Sequence, residues 1–277
     1  MMGKEDTVVG DESATSRLTR QNDRRNAITE AVMAAGSIRI ADLAERFGTS
    51  TMTVHRDLDE LESRGLLRKD RGIATALSTG LVESSDVYRA SRELSEKRAI
   101  ALAALEFIEP GQSIMLDDST TVLHLVPHLH ERRPLTVITN TLTVMNELRS
   151  VTGVTLLGLG GQYYNWCSAY MGRLTTETIS HLRADVLVMS TSAITDGVAF
   201  HQTMETVDVK RAMFDAASTR ILLADHTKFD KRALHAMQPL ADFDAVIVDA
   251  GTDKAHIAEM RRRGINVVIA PRTRAAS

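Results

Sequence analysis

Apolar residues spaced three and four apart organise the first quarter of the chain. Ile28 and Val32 lie four apart, with Asp23 placed to cap a helix and Gly36 placed to end it. Ile40, Leu43, Ala44 and Phe47 fall at i, i+3, i+4 and i+7, one face of a second short helix that Gly48 stops. Ser50 caps a third predicted helix running to about Arg64, with Val54, Leu58 and Leu61 as its buried stripe and Gly65 at its end. Leu66-Leu67-Arg68 begins a short strand, Arg71-Gly72 makes a turn, and Ile73 to Leu77 returns. Three short helices followed by a hairpin predict a winged helix-turn-helix over residues 20–79.

The pattern then changes. Residues 80–90 read as a linker, and a longer helix is predicted from about Ser91 to Phe107, with Leu94, Ile100, Ala101, Ala104 and Ile108 on its apolar face and a Glu93–Lys97 pair in the favourable order. Pro110-Gly111 stops it. Short apolar runs follow at Ile114–Leu116, Thr136–Thr139, Val154–Leu157, Val186–Ser190, Ile221–Ala224, Ala245–Val248 and Val267–Ala270, mostly separated by helical segments. That alternation predicts a largely parallel, Rossmann-like α/β domain over residues 91–277, with helices on both faces of the sheet. The fold class is therefore α/β overall, with a small reader domain in front. Ligands in such sheets bind at the carboxyl ends of the strands.

Composition narrows the function. Hydrophobic residues make up 43% and charged residues 25% of the 277, the balance of an ordinary globular protein. A net charge of −3 excludes a general polyanion binder, so any DNA contact must come from local basic positions. Cys167 is the single cysteine, which excludes an intrachain disulfide and a cysteine zinc cluster and fits a cytoplasmic location. No run of about 18 apolar residues is available to span a membrane. Residues 1–19 are polar, carry Glu5, Asp6, Asp11 and Glu12, and read as a disordered tail.

With Val54 inward on the third helix, Met52, Arg56 and Ser63 point outward, and Thr51, Thr53 and His55 flank them near the helix start. In a helix-turn-helix that end meets base edges. Arg56 can donate two bonds to guanine, and Ser50, Thr51, Met52, Thr53 and His55 can supply methyl, hydroxyl or phosphate contacts. Asp57 and Asp59 would repel phosphate, so they face helix neighbours or solvent. Arg68, Lys69 and Arg71 sit on the wing, within reach of phosphate. The same periodicity also fits a solvated face on a small helical bundle.

Asp117-Asp118-Ser119-Thr120-Thr121 follows a predicted strand and opens a predicted helix, where N–H groups and three hydroxyls can cradle an anion. Caps alone produce such Ser/Thr-rich starts too. Other strand ends add Thr139-Asn140, Gly160-Gly161 and Asp225-His226-Thr227-Lys228, while Glu205, Lys210 and Arg211 sit on a helix. A sugar phosphate needs this mixture of anion donors and hydroxyl partners.

The run Thr49-Ser50-Thr51-Met52-Thr53-Val54-His55-Arg56-Asp57-Leu58, with Arg24, Ile28 and Val32 before it and Leu61, Gly65, Leu66, Leu67 and Arg68 after it, resembles the N-terminal signature of DeoR-family regulators. The wing departs: Asp70-Arg71-Gly72-Ile73-Ala74 stands where the family usually has His-Gly-Gly-Ala. Residues from about Arg92 to Asp249 resemble the family's sensor domain through Leu116–Thr121, Thr136–Asn140, Gly160-Gly161, Val209-Lys210-Arg211 and Asp225–Lys228; Ser119 replaces a usual glycine there. The resemblance implies a sensor similar in fold to ribose-5-phosphate isomerase. It also implies a repressor of carbohydrate-metabolism genes that leaves double-stranded operator DNA when it binds a phosphorylated sugar. Paired half-sites imply a homo-oligomer, dimer or tetramer.

Other features carry less. His124 and His128 have helical spacing, but Pro127 interrupts and no carboxylate completes a metal set. Gly158-Leu159-Gly160-Gly161 fails the dinucleotide fingerprint. Cys167 beside Trp166 reads as packing, and Arg261-Arg262-Arg263 as a solvated helix face. No metal, cofactor or catalytic group is expected. Two competing classes remain: a sugar-phosphate isomerase using Asp117, Asp225 and Lys210 for proton transfer, and a protein-interaction module built on the helix-turn-helix.

Overall fold

A computed structural model of the protein describes residues 21–29, 31–32, 35, 37–63, 66–76, 86–90 and 92–272. The tail expected at 1–19, the stops at Gly36 and Gly65 and most of the linker lie outside the described residues. The chain divides into two compact units, Met1–Val82 and Glu83–Ser277.

The first unit holds α1 (residues 21–29 and 31–32), β1 (Ser37–Arg39), α2 (Ile40–Arg46), α3 (Thr51–Ser63), β2 (Leu67–Asp70) and β3 (Ile73–Ala76). Ile28, Val32, Ile40, Leu43, Val54, Leu58, Leu61, Leu67 and Ala74 form one core. Gly48 sits at φ 58° between α2 and α3, and the Ser50 hydroxyl accepts the Thr53 N–H at 3.2 Å, capping α3. Asp23 lies inside α1 and is not its cap, because the helix is already formed at residue 21. The sheet has three strands in the order β1-β3-β2. Ser37–Arg39 was not expected, since three residues are too short to display an alternation.

Asp57 is fully buried under α1, where Arg24 Nε reaches it at 2.7 Å and Arg25 Nε at 3.0 Å. The carboxylate thus points away from the exposed side of α3 and locks α1 onto it. Asp59 instead pairs with Lys69 of the wing.

The second unit opens with α4 (Asp86–Ala90), a helix inside the stretch expected to be linker, and α5 (Leu94–Ala104) with a 3-10 turn through Phe107. It continues with β4 (Ser113–Leu116), α6 (Thr120–Leu123), β5 (Leu135–Thr139), α7 (Leu142–Leu148), β6 (Val154–Gly158), β7 (Gln162–Tyr164), β8 (Ala169–Met171) and α8 (Arg173–Ser180). Then come β9 (Ala184–Ser190), β10 (Ala193–Thr195), β11 (Val198–His201), α9 (Met204–Ala216), β12 (Ala217–Ala224), β13 (His235–Pro239), β14 (Ala245–Val248), α10 (Lys254–Arg262) and β15 (Val267–Ile269).

All seven expected strands form one sheet in the order β15-β14-β12-β9-β4-β5-β6, and every pairing in it is parallel. Strand period two divides its side chains between two cores. Ile114, Leu116, Val137, Val188 and Leu223 face α5, while Met115, Ile138, Leu187, Met189 and Leu222 face α8, α9 and α10. Burial on both faces explains the near-continuous apolar runs. Two small sheets, β7-β8 and β10-β11-β13, went unread in the sequence because their strands are only three to five residues long, too short to display an alternation.

The chain winds outward through β5 and β6, then crosses back to lay β9 on the other side of β4. The switch point is therefore between β4 and β9, where Leu116 pairs with Val188 and Asp117 just past it meets Ser190.

Replacing Asp57 by Ala leaves two arginines unneutralised against the α1–α3 seam. Both arginines keep some solvent, so the expected loss is about 2 kcal/mol, below the 3–5 typical of a fully buried pair. Thermal unfolding of the full chain, with a transition assigned to the reader unit, measures it; an unchanged transition would contradict the lock.

Candidate functional site

On the first unit, α3 exposes its first turn. Met52 is 63% exposed, Thr51 and Arg56 are exposed, and Thr53 and His55 are half-buried beside them. Ser50 and Thr53 share a hydroxyl–hydroxyl bond of 2.9 Å, so these two side chains shape the helix start. Arg68 and Arg71 are exposed on the wing, whereas Lys69 turns back to Asp59. Arg71 (φ 46°) and Gly72 (φ 78°) form a left-handed pair, the geometry of a two-residue hairpin turn. Arg71 accepts there a backbone that glycine adopts without strain.

In the second unit the switch point is occupied by charge. Lys210, on α9, is 1% exposed, and its ammonium contacts Asp117, Asp118 Oδ1 at 3.3 Å and the Ser190 carbonyl at 3.2 Å. Asp117 also accepts the N–H groups of Ser119 at 3.0 Å and Ser190 at 2.9 Å, tying the ends of β4 and β9 together. Burial works against the Lys210 charge, but Asp117 and Asp118 outweigh it and hold the proton more firmly than in an ordinary lysine. Thr206, one helical turn before Lys210, faces the same way.

Around this pair lies a narrow polar cleft. Asp118, Ser119, Thr120 and Thr121 line it from β4, Ser190, Thr191 and Ser192 from β9, and Lys228 from the turn after β12. His201, Arg89 and Trp166 complete the wall. Asp225 supports Lys228 at 4.0 Å and caps the turn by accepting the Thr227 N–H at 3.0 Å. Burial alone would raise the Asp225 carboxyl, yet Lys228 and the Thr227 hydroxyl hold it below the usual range. Burial, with Lys210 next in effect, keeps the His201 imidazole well below its ordinary value, and Ser192 Oγ meets its Nδ1 at 2.9 Å.

Asp117, Ser119, Thr120, Thr121, Lys210, Asp225 and Lys228 thus converge as expected from the sequence. The other four expected residues are not among those lining the cleft, although Thr139 sits beside Leu116 where β5 pairs with β4. Thr139 accepts the Thr141 N–H at 3.2 Å, and Asn140 binds the Tyr170 carbonyl at 2.9 Å, holding the β7-β8 hairpin that carries Trp166. Gly160 accepts from Thr175 at 2.8 Å, and a Cβ on Gly161 would stand 2.1 Å from the Thr175 hydroxyl. Gly161 thus permits the close approach of α8. Glu205 is exposed, and Arg211 turns to the Met237 carbonyl at 2.9 Å. The expected helix-end cradle is also reduced: α6 has four residues, and the Ser119 and Val122 N–H groups are already bonded to Asp117 and Ser119 side chains.

Sequence reasoning missed Arg89, Ser190–Ser192, His201 and Lys97. The Ser-Thr-Ser run after an apolar strand was the available signal. Lys97 was taken for a surface partner of Glu93; it is 3% exposed, reaching the Arg89 carbonyl and Thr120 Oγ1 (3.2 Å), while Leu94 is 52% exposed. Burial, then Lys228, lowers its ammonium to about 8. Among features given less weight, His128 pairs with Glu131 at 3.0 Å and His130 with the Pro127 carbonyl at 2.7 Å. Cys167 is buried and its thiol is pushed up by that burial. Arg262 and Arg263 pair with Glu259 on the outside of α10. Among the described residues no helix is long and apolar enough to cross a membrane.

A DNA-reading head followed by a polar cleft at a sheet switch point is the anatomy of a transcription regulator that senses small molecules. The DeoR-like helix-turn-helix domain matches residues 24–79, and the DeoR C terminal sensor domain matches residues 92–250. The chain belongs to the DeoR family. The lactose phosphotransferase system repressor of Staphylococcus epidermidis is 33% identical over 230 residues, covering 82% of this chain and 91% of that protein. The transcriptional repressor AccR of Agrobacterium fabrum is 32% identical over 232 residues, covering 83% and 90%. Among solved structures, ribose 5-phosphate isomerase A from Methanocaldococcus jannaschii aligns over 48% of this chain and 53% of its own, with a TM-score of 0.36 and 12% identity.

Replacing Lys210 by Met strands two buried carboxylates at the switch point. The expected cost is about 3–5 kcal/mol, partly recovered when Asp117→Asn is added. Urea unfolding of the two variants measures this; equal stability of single and double variants would show that the pair is not coupled.

Proposed function

We propose that the protein represses carbohydrate-metabolism genes by binding operator DNA through the exposed start of α3 and the wing, and that a phosphorylated sugar in the switch-point cleft releases it. The observation that carries this reading is the polarity of the cleft. Arg89 and Lys228 bring cations to the lining, with Lys97 close enough to feel both, and these suit a phosphate. Asp118, Thr191 and Ser190, whose buried Oγ has no hydrogen-bond partner among the described residues, suit sugar hydroxyls. The sugar-linked name of the Staphylococcus epidermidis relative supports the same ligand class. Release requires that the ligand favour a DNA-incompetent arrangement by differential affinity. A homo-oligomer, dimer or tetramer, acting in the cytoplasm would match paired half-sites. Turnover is disfavoured, because Lys210 is already committed to two carboxylates and is a poor general base.

Fluorescence anisotropy on the DNA upstream of the protein's own gene, at fixed salt, tests the reading against random DNA. Specific binding released by one member of a panel of sugar phosphates is the expected result; specific binding indifferent to the whole panel would refute the effector. Arg56→Ala should lower specific affinity by about 1–3 kcal/mol. Lys228→Ala should keep operator binding and raise the sugar phosphate needed for half-release about tenfold or more.

A further inference from the structure

Helix α4 is the first described element after the wing, with residues 77–85 between them. Among its polar contacts within the second unit, three involve its ends. The Asp86 N–H donates to the Trp166 carbonyl at 2.9 Å. The Arg92 N–H donates to the Arg89 carbonyl at 3.3 Å. The Lys97 ammonium also meets that Arg89 carbonyl, and the same ammonium donates to Thr120 Oγ1 at 3.2 Å. One buried cation therefore joins the C-terminal end of α4 to the loop that lines the cleft.

We propose that Lys97 is a bolt between α4 and the effector loop, and that a phosphate group entering the cleft draws its ammonium off the Arg89 carbonyl and frees α4. The inference rests on the anion-binding reading of the cleft and adds the route by which occupancy leaves it. A carbonyl carries a partial charge, whereas a phosphate monoester carries up to two full charges, so the ammonium prefers the phosphate when both are within reach. Thr120 is placed to follow, because its hydroxyl already shares the ammonium. The charge balance favours the exchange. Lys97 feels Lys228, Arg89 and Lys231 as like charges and Asp225 as the opposing one, so an incoming anion relieves net repulsion there. With its pKa at about 8, the amine is also primed to gain proton occupancy when that anion arrives.

Hydrogen exchange of the α4 amides in the full chain, with inorganic phosphate as the probe, tests the bolt. In the wild type, phosphate is expected to speed exchange across residues 86–90 about tenfold or more. In Lys97→Met the α4 amides should exchange that fast without phosphate and should not respond to it, while Lys97→Arg should restore part of the protection. Near pH 8, phosphate binding to the wild type should take up protons, seen as a buffer-dependent heat, and Lys97→Met should abolish the uptake. Trp166, the single tryptophan and part of the cleft wall, reports phosphate binding by its fluorescence. Wild-type α4 exchange unmoved by bound phosphate, or Lys97→Met protected as well as the wild type, would overturn the bolt. Absence of any phosphate signal from Trp166 or from calorimetry would instead remove the anion site itself, while slow α4 exchange in phosphate-free Lys97→Met would still refute the bolt by itself.

Discussion

The sensor unit depends on a lysine buried between two carboxylates. Lys210 crosses the gap that opens where the sheet reverses its winding order; Asp117 ties that gap shut through one oxygen and braces its own loop with the other. A parallel sheet leaves backbone groups unpaired at its strand ends, and at a switch point no crossover helix covers them. Bringing charge there is costly in desolvation, so the arrangement persists only because each charge has a partner and a hydrogen bond. The consequence is a rigid polar floor, around which hydroxyls from β4 and β9 can be held without collapsing onto one another.

The parts of the fold that were legible in the sequence are those whose pattern follows from burial. The seven parallel strands are covered on both faces, so each appeared as an apolar run, and their bounds moved by only a few residues. Strands such as Ser37–Arg39 and Gln162–Tyr164 are three residues long and gain their conformation from a tertiary partner rather than from their own side chains. The helix from Leu94 shows the limit from the other direction. Its sequence offers Leu94 to the core and Lys97 to solvent, and the structure reverses both, because the Arg89 carbonyl and the Thr120 hydroxyl supply Lys97 with partners that sequence spacing cannot reveal.

The candidate site follows the same division. Asp117, Lys210 and Lys228 were visible because a carboxylate or a cation just past an apolar strand, or on the helix that returns to it, has few structural reasons to be there. Asn140, Gly160 and Gly161 share that position in sequence but do not line the cleft; Asn140 and Gly160 serve hairpin and helix packing instead. Position at a strand end was a sufficient clue only near the reversal of winding order, and that reversal is a property of the whole sheet.

The two buried lysines of the sensor separate support from response. Burial weakens the hold of both on their protons, but Lys210 has two carboxylates to reverse the effect and Lys97 faces mostly other cations. A cation matched by full negative charges has nothing to gain from an arriving phosphate, so Lys210 belongs to the frame. A cation resting on a carbonyl and a hydroxyl has much to gain, so it is Lys97 whose contacts can depend on what the cleft holds. The same interior thus contains a locked charge that defines the cleft and a loosely satisfied one that can report its occupancy, and the difference between them lies in which groups stand within about 4 Å.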